Sequence, residues 1–410
     1  MSPTAPRAER RTMTGRDPEE PHRAATSLEL LFDLCFVIAV AQASHGLGHA
    51  VAEGHSVEGV LRYAVVFFTI WWAWMNFTWL ASAYDPDDVP YRLAVLFQIA
   101  GSLVLAAGVQ GAFAEGDLVL ITLGYLLLRT TLTVLWLRVA GADPGRRRTA
   151  LRFARGVMVC QVGWVGLLFL PDPVWAAGVV VMIVAEMAVP VWAQAAGMTP
   201  WHPGHIAERY GLFLLIVLGE SIAAAATAVR EAFGREHQSG ALYALAAGGL
   251  LTVFGMWWLY FTRPAHALLA TTHRVNRRRF TWSYGHYLVF AAAAAEGAGL
   301  AAYAELLTGH GAGPVAGAAV TVPLAVFLLT VWAVHIRPHR RGSRVEWGYP
   351  VVAALLPVAA LLPAPALTAG VLSTALVVAV VVSDRRAGAG AGMREEKGAG
   401  WLFAGRSPRG

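Results

Sequence analysis

Twelve stretches of this chain are apolar over roughly 17–25 residues, the length a helix needs to cross the hydrocarbon core of a bilayer. They fall near 28–48, 60–83, 91–113, 117–139, 152–170, 173–194, 207–229, 239–261, 283–307, 313–335, 347–363 and 366–383. No other feature constrains the fold as much. Lipid offers backbone amides no partner, so such segments must be helices or strands of a closed barrel, and segments this long and apolar are helices. The expected fold is therefore all-α, a polytopic transmembrane bundle of about twelve helices. The last two segments are short and separated only by "PAPA", so a single re-entrant hairpin would fit them as well.

Composition agrees. Of the 410 residues, 57% are hydrophobic and 14% charged, against about 25% charged in soluble domains. The 15 tryptophans are expected at the membrane interfaces. Cys35 and Cys160 lie in apolar runs and read as small core residues rather than a disulfide. The basic residues are almost all arginine, Lys397 being the one lysine, and their excess reflects composition rather than nucleic-acid binding. Residues 1–25 read as a disordered cytoplasmic tail with no signal-peptide core. Residues 26–384 form the membrane domain, and 385–410 a second disordered cytoplasmic tail.

The arginines fix an orientation. "RVAGADPGRRRTALRFAR", "TRPAHALLATTHRVNRRRF" and "HIRPHRRGSR" all fall on one side of the twelve-segment map, with the two tails. The opposite loops hold little more than Arg62, Arg230 and Arg235. By the positive-inside rule both termini are cytoplasmic. "FFTIWWAWMNFTW" in the second segment resembles "FGMWWLYFTRPAH" in the eighth. A separation of six segments predicts two halves of like orientation, a parallel 6+6 repeat. Recurrence of Trp-Trp pairs by composition explains the likeness equally well.

Charged groups inside the segments point to function, because each costs several kcal/mol in lipid unless it is paired or hydrated. Glu29 and Asp33 lie four residues apart on one face of the first segment, and two such carboxylates repel unless a cation or a proton intervenes. Thr26 and Ser27 also place Glu29 where it would simply cap the helix. His45 lies near the far interface. In "HPGHIAERYGLFLLIVLGES", His205 and Glu208 are three apart, Arg209 follows, and Glu220 is deeper, beside Gly219. A shared metal or an interfacial salt bridge would both use His205 and Glu208. His286 and Glu296 are ten residues apart and share a helix face. Arg129, in mid-segment, requires one of these buried acids, or Glu186 of the sixth segment, as a partner, and the sequence does not fix which.

Three blocks, "LELLFDLCFVIAVAQASHGL", "WWAWMNFTWLASAYDPDD" and "HIAERYGLFLLIVLGES", resemble the signature stretches of the bacterial low temperature requirement A family, and "SYGHYLVFAAAAAEGAG" is similar to its later region. The resemblance spans about Leu28 to Val334. It implies a bacterial, multi-pass cell-membrane protein tied to growth in the cold, and it supplies no mechanism. The blocks contain Glu29, Asp33, His45, Asp85, Glu208, Arg209, Glu220 and His286.

Two functions remain open on this reading. One is a transport-type protein with an ion- or proton-linked path through Glu29, Asp33, His45, Glu208, Arg209, Glu220, His286 and Glu296. Asp33, Glu220 and His286 are then expected to converge on one polar cavity. The alternative is a membrane-embedded enzyme acting on a lipid or isoprenoid, for which "DPDD", Asp85 to Asp88, is the one acidic run available to diphosphate–magnesium chemistry. No metal cluster or cofactor motif is evident, and the expected surroundings are the lipid bilayer and a small solute, ion or lipid.

Overall fold

The computed structural model describes residues 12–21, 23–234, 240–271, 276–309, 314–339 and 343–403, and among these it is helical without strands. The helices are α1 (Ser27–Ala52), α2 (Ser56–Ala83), α3 (Val89–Ala114), α4 (Val119–Ala142), α5 (Arg147–Leu167), α6 (Asp172–Gln194), α7 (Pro203–Gly234), α8 (Gly240–Phe261), the short α9 (Ala265–Thr271), α10 (Asn276–Gly309), α11 (Pro314–Val331), α12 (Gly348–Ala359) and α13 (Pro365–Phe403). Among the described residues ten are long and apolar enough to cross a membrane. The two segments of the twelve that fall short do so for different reasons. Helix α5 carries Arg147, Arg148, Arg152 and Arg155, and α12 has only 12 residues.

Local signals set the ends. Thr26 and Glu29 close a capping box on α1, which satisfies two of the amides a helix start leaves open. Asp88 accepts from the Tyr91 amide and Pro90 fills the first turn of α3. Gly54 and Gly116 take positive φ (84° and 72°) in the tight reversals after α1 and α3, a conformation only glycine adopts without strain.

Helix α2 forms the centre. Trp71, Trp72 and Trp74 are all buried there, packed among Phe68, Phe213, Tyr284 and Tyr287. These three therefore depart from the interfacial position expected of tryptophan. The supposed counterparts in α8, Trp257 and Trp258, are 42% and 45% exposed on the outer face. The Trp-Trp pairs therefore do not mark equivalent environments. Helix α1 lies on α2 and α3, α3 on α4, α4 on α5 and α5 on α6, while α7 lies on α8 and α10, α10 on α11, α11 on α12 and α12 on α13; α8 also packs closely on α13, whereas α2 and α6 barely touch. Helices α1, α7 and α10 meet in the middle, where Ser44 and Ser221 donate to the carbonyls of Ala294 and Ala293.

The tails differ from expectation. Residues 12–21 and 23–26 pack on the bundle: Met13 is buried, the Arg16 amide donates to the Ala83 carbonyl, and the Arg23 guanidinium reaches the carbonyls of Ala81 and Ser82. Arginine's five donors match the open carbonyls at the end of α2, which explains why a polar segment orders there. Helix α13 continues to Phe403, past the boundary expected at 384; residues 404–410 lie outside the described residues. Contacts across one end of the bundle join the start of α3 to the end of α4 through Arg138–Asp88, and α6 to α10 through Gln194 and Arg279. Arg146, Arg209, Arg263, Arg279 and Arg337 all belong to this end, whereas Arg62 and Arg230 lie toward the other.

Candidate functional site

The densest charge in the bundle lies where α1 meets α7. The capping box places the Glu29 carboxylate over the first turn of α1, with Oε2 accepting from the Thr26 amide at 2.8 Å. One turn deeper, about 6 Å along the axis, Asp33 projects from the same face. The Arg209 guanidinium reaches both acids. Its Nε and Nη2 donate to Asp33 Oδ2 and Oδ1 at 2.8 and 2.5 Å, and Nη1 lies 3.1 Å from Glu29 Oε1. This bidentate fork is the geometry only arginine offers a carboxylate. The Trp74 indole N–H donates to Asp33 Oδ1 at 2.7 Å, and His205 Nε2 stands 3.2 Å from Glu29 Oε1. Asp33, Arg209 and His205 are completely buried. Glu29 thus both caps α1 and joins an ion pair, so the two roles are not alternatives. Glu208 is different: it is exposed on the outside of α7, and the expected pairing with His205 is absent because His205 turns inward to Glu29.

Above this network lies a lid of loop residues. Arg23 stands 3.9 Å from Glu29 and 4.0 Å from Asp85. Burial lowers the Arg23 pKa, opposed by the charge of Glu29. Burial, with Glu29 adding to it, pushes the Asp85 carboxyl up to about 6, against the pull of Arg23. The rest of the acidic run is engaged as well: Asp87 pairs with Arg92 at 2.7 Å and Asp88 with Arg138 at 2.7 Å. The run expected of diphosphate–magnesium chemistry is therefore committed to arginines. Among the described residues no group of three or more His, Cys, Asp or Glu side chains is placed to share a metal ion.

Other flagged residues fall elsewhere. Arg129 meets Glu186 at 2.6 Å between α4 and α6, and Glu186 also accepts from Tyr125, Trp72 and Gln161. His286 presents Nδ1 to the Trp282 carbonyl at 2.7 Å, so that nitrogen carries the proton. Its Nε2 lies 3.1 Å from the Tyr260 hydroxyl and 3.0 Å from His335 Nε2. His335 sits in a π-helical turn, Trp332–Ile336, ending α11, a distortion that often marks function. Glu220 pairs with His45 at 3.0 Å toward the opposite end, with side chains 17% and 69% exposed. Nothing packs within 4 Å of a Cβ added at Gly219, so that glycine does not serve close helix approach. The single cavity expected for Asp33, Glu220 and His286 is thus divided. Asp33 and His286 are separated by rings in edge-on contact, Trp74 with Tyr210 and Tyr210 with His286, at 5.1 and 4.9 Å. Glu220 lies eleven residues along α7 from Arg209, about 16 Å away.

At Glu220's end, Gln42, His45, His49, Glu53, His55, Glu58, Arg62 and Gln110 line a cavity of about 610 Å³ between α1, α2 and α3. Sequence reasoning missed Arg23, Trp74 and His335. Arg23 lies in a tail that reads as disordered, and the other two are single residues in apolar runs whose partners come from distant helices.

With this geometry in view, the profile described as "Bacterial low temperature requirement A protein (LtrA)" matches residues 24–382. The chain belongs to that family. The matched span begins just before the capping box and takes in every charged residue of the α1–α7 network except Arg23. An uncharacterized protein of Rhizobium meliloti (strain 1021) is 28% identical to this LtrA chain over 293 residues, 68% of this chain and 69% of its own. No solved structure matches. The chain is accordingly an LtrA-family membrane protein with multiple spanning helices.

Proposed function

We propose that this LtrA protein is a transport-type protein of the bacterial cell membrane, with an ion- or proton-linked path that is closed at its arginine-rich end by Arg209 held between Asp33 and Glu29. One observation carries the reading. A fully buried guanidinium and its carboxylates lie across the contact of α1 and α7. Buried pairs of this kind contribute little net stability, since desolvation offsets their attraction. Retaining one at a helix interface is consistent with a contact that opens. Protonating Asp33 removes the bidentate partner of Arg209 and leaves the guanidinium held by Glu29 alone, so proton arrival weakens the closed contact. The cavity at the other end, lined by His49 and by His45, which pairs with Glu220, supplies the entrance.

The arginine-rich end faces the cytoplasm on this reading, which places both termini there. An introduced cysteine replacing Arg147 is expected to be protected in intact cells from a membrane-impermeant thiol reagent, and one replacing His55 to be labelled; the reverse pattern rejects the orientation. For the gate, purified protein in liposomes loaded with a pH-sensitive dye is expected to admit protons down an imposed gradient. Asp33→Asn should lower that rate by about tenfold or more, the scale at which a lost proton-transfer group acts, with the protein still inserted and monodisperse. Wild-type proton entry in Asp33→Asn would sink the proposal.

A further inference from the structure

The outward face of α5 carries charge that no acid of the described residues balances. Arg148, Arg152 and Arg155 recur at intervals of four and three residues, and Val159 and Val162 continue the series, so all five project from one side of the helix. The other side is taken up by the bundle: Phe153 stacks on Trp136 of α4 and Gln161 donates to Glu186 of α6. Val159 and Val162 are 71% and 72% exposed, and Arg148 and Arg155 are exposed with them. The stripe is therefore basic at the helix start and apolar beyond it, and it faces away from the bundle along its length.

Helix α5 is 21 residues long, about 30 Å, or one hydrocarbon thickness. Its first turn lies at the arginine-rich end, and Arg155 is about 12 Å along the axis from Arg147. A guanidinium turned toward lipid at that depth needs water or a counter-charge. The neighbouring Arg138 and Arg146 have carboxylates, Asp88 and Asp143. Among the described residues no carboxylate pairs with Arg148, Arg152 or Arg155. Arg152 shows the level at which a counter-charge belongs. Its Nη1 donates to the Trp192 carbonyl at 3.1 Å, and its guanidinium lies 5.3 Å from the Trp192 ring. Trp192 stands in the last turn of α6 and is 46% exposed, as befits a tryptophan at the headgroup boundary.

We propose that Arg148, Arg152 and Arg155, beside Trp192, bind the phosphate of an anionic phospholipid in the leaflet at the arginine-rich end, with its acyl chains along Val159 and Val162. Guanidinium forks match phosphate oxygens two at a time, and basic surfaces at the membrane boundary favour anionic headgroups. A zwitterionic headgroup would bring a further cation to three that have no acid, which selects a lipid of net negative charge. The apolar half of the stripe selects a lipid over free phosphate. Helix α5 packs on α4 and α6, away from the α1–α7 contact. The site is therefore separate from the gate, and its occupancy is measured without transport, so failure here leaves the gate proposal untouched.

The test is a titration of the purified full-length protein in neutral detergent with phosphatidylglycerol or with phosphatidylcholine, read by native mass spectrometry and by thermal unfolding. Phosphatidylglycerol is expected to bind saturably and to raise Tm, and phosphatidylcholine to do neither. The triple variant Arg148→Gln, Arg152→Gln, Arg155→Gln should weaken phosphatidylglycerol binding by about tenfold or more. A second triple variant, Arg344→Gln, Arg385→Gln, Arg386→Gln, removes the same charge from exposed positions elsewhere at that end and should bind as wild type. If the first triple variant does not fold, Arg155→Gln alone decides, since its side chain is exposed, and it should weaken binding several-fold. Equal affinity for the two lipids overturns the proposal. So does an equal loss in both triple variants, which would mean that net charge and not this stripe attracts the lipid, and so does wild-type binding by the α5 variants.

Discussion

Asp85 shows how position turns an ordinary residue into a titrating one. In sequence it is one of three acids in a polar loop and reads as solvated. Folded, its side chain is nearly buried beside Glu29, and its pKa rises from 3.8 to about 6. Because the folded carboxyl holds its proton to higher pH than the unfolded one, stability falls as pH rises from about 4 to about 6 and stays reduced above that window. The rise from 3.8 to about 6 bounds the effect at about 3 kcal/mol. Asp85→Asn should remove that part of the pH dependence, so that the Tm of the variant gains on wild type between pH 5 and pH 7. A Tm difference that is flat across that range contradicts the assignment. The charged residues themselves were legible in the sequence, because solvation cost alone singles out Glu29, Asp33, Arg129 and Arg209. Their partners were not, because a partner 176 positions away leaves no local trace. The same holds for Trp74, whose indole looks like any other interfacial tryptophan until its N–H is found on Asp33.

At the level of helices, apolar length located all twelve segments, and the capping box, the prolines and the glycine reversals set several boundaries. Helices α5 and α12 show where length and hydropathy lose their force. Helix α5 carries four arginines yet packs between α4 and α6. Arginine stems bury readily while the charged head reaches the interface, as Arg152 does over Trp192 at 5.3 Å. Close helix contacts were legible only in part. Gly124 of α4 allows the α3 backbone in, since a Cβ there would lie 2.4 Å from the Leu105 nitrogen, whereas Gly219 looks the same in sequence and faces open space. Glycine in an apolar helix thus marks permission for close approach rather than its occurrence; the facing helix decides.

For the molecule as a whole, we propose two halves related by an axis along the membrane normal, which the order of helix contacts supports in part. The charges supply an independent reason. Glu29 and Asp33 are the third and seventh residues of α1, and His205 and Arg209 are the third and seventh of α7. If the bundle is such a repeat, as proposed, the pairs Glu29–His205 and Asp33–Arg209 join equivalent positions of the two halves, acid on one side and base on the other. Identical residues at such positions would face each other as like charges across the axis, so divergence to opposite charges is what a duplicated bundle needs to keep polar groups at that contact. The Trp-Trp likeness that first hinted at a repeat does not survive, since one pair is buried and the other exposed, yet the order of contacts fits it in part and the charge pairing fits it. Exchange of the two residues provides the test. Asp33→Arg alone sets two guanidiniums together and Arg209→Asp alone sets three carboxylates together; each is expected to destabilise by about 3–5 kcal/mol, the cost of an uncompensated buried charge. The double exchange restores an opposite pair at the same two positions, with Glu29 still one turn from residue 33. It should recover at least half of the lost stability, read as Tm of the purified protein, although the Trp74 contact is forfeited. Additive losses in the double variant would mean that the two positions are not interchangeable, and the twofold relation between the halves would have to be abandoned.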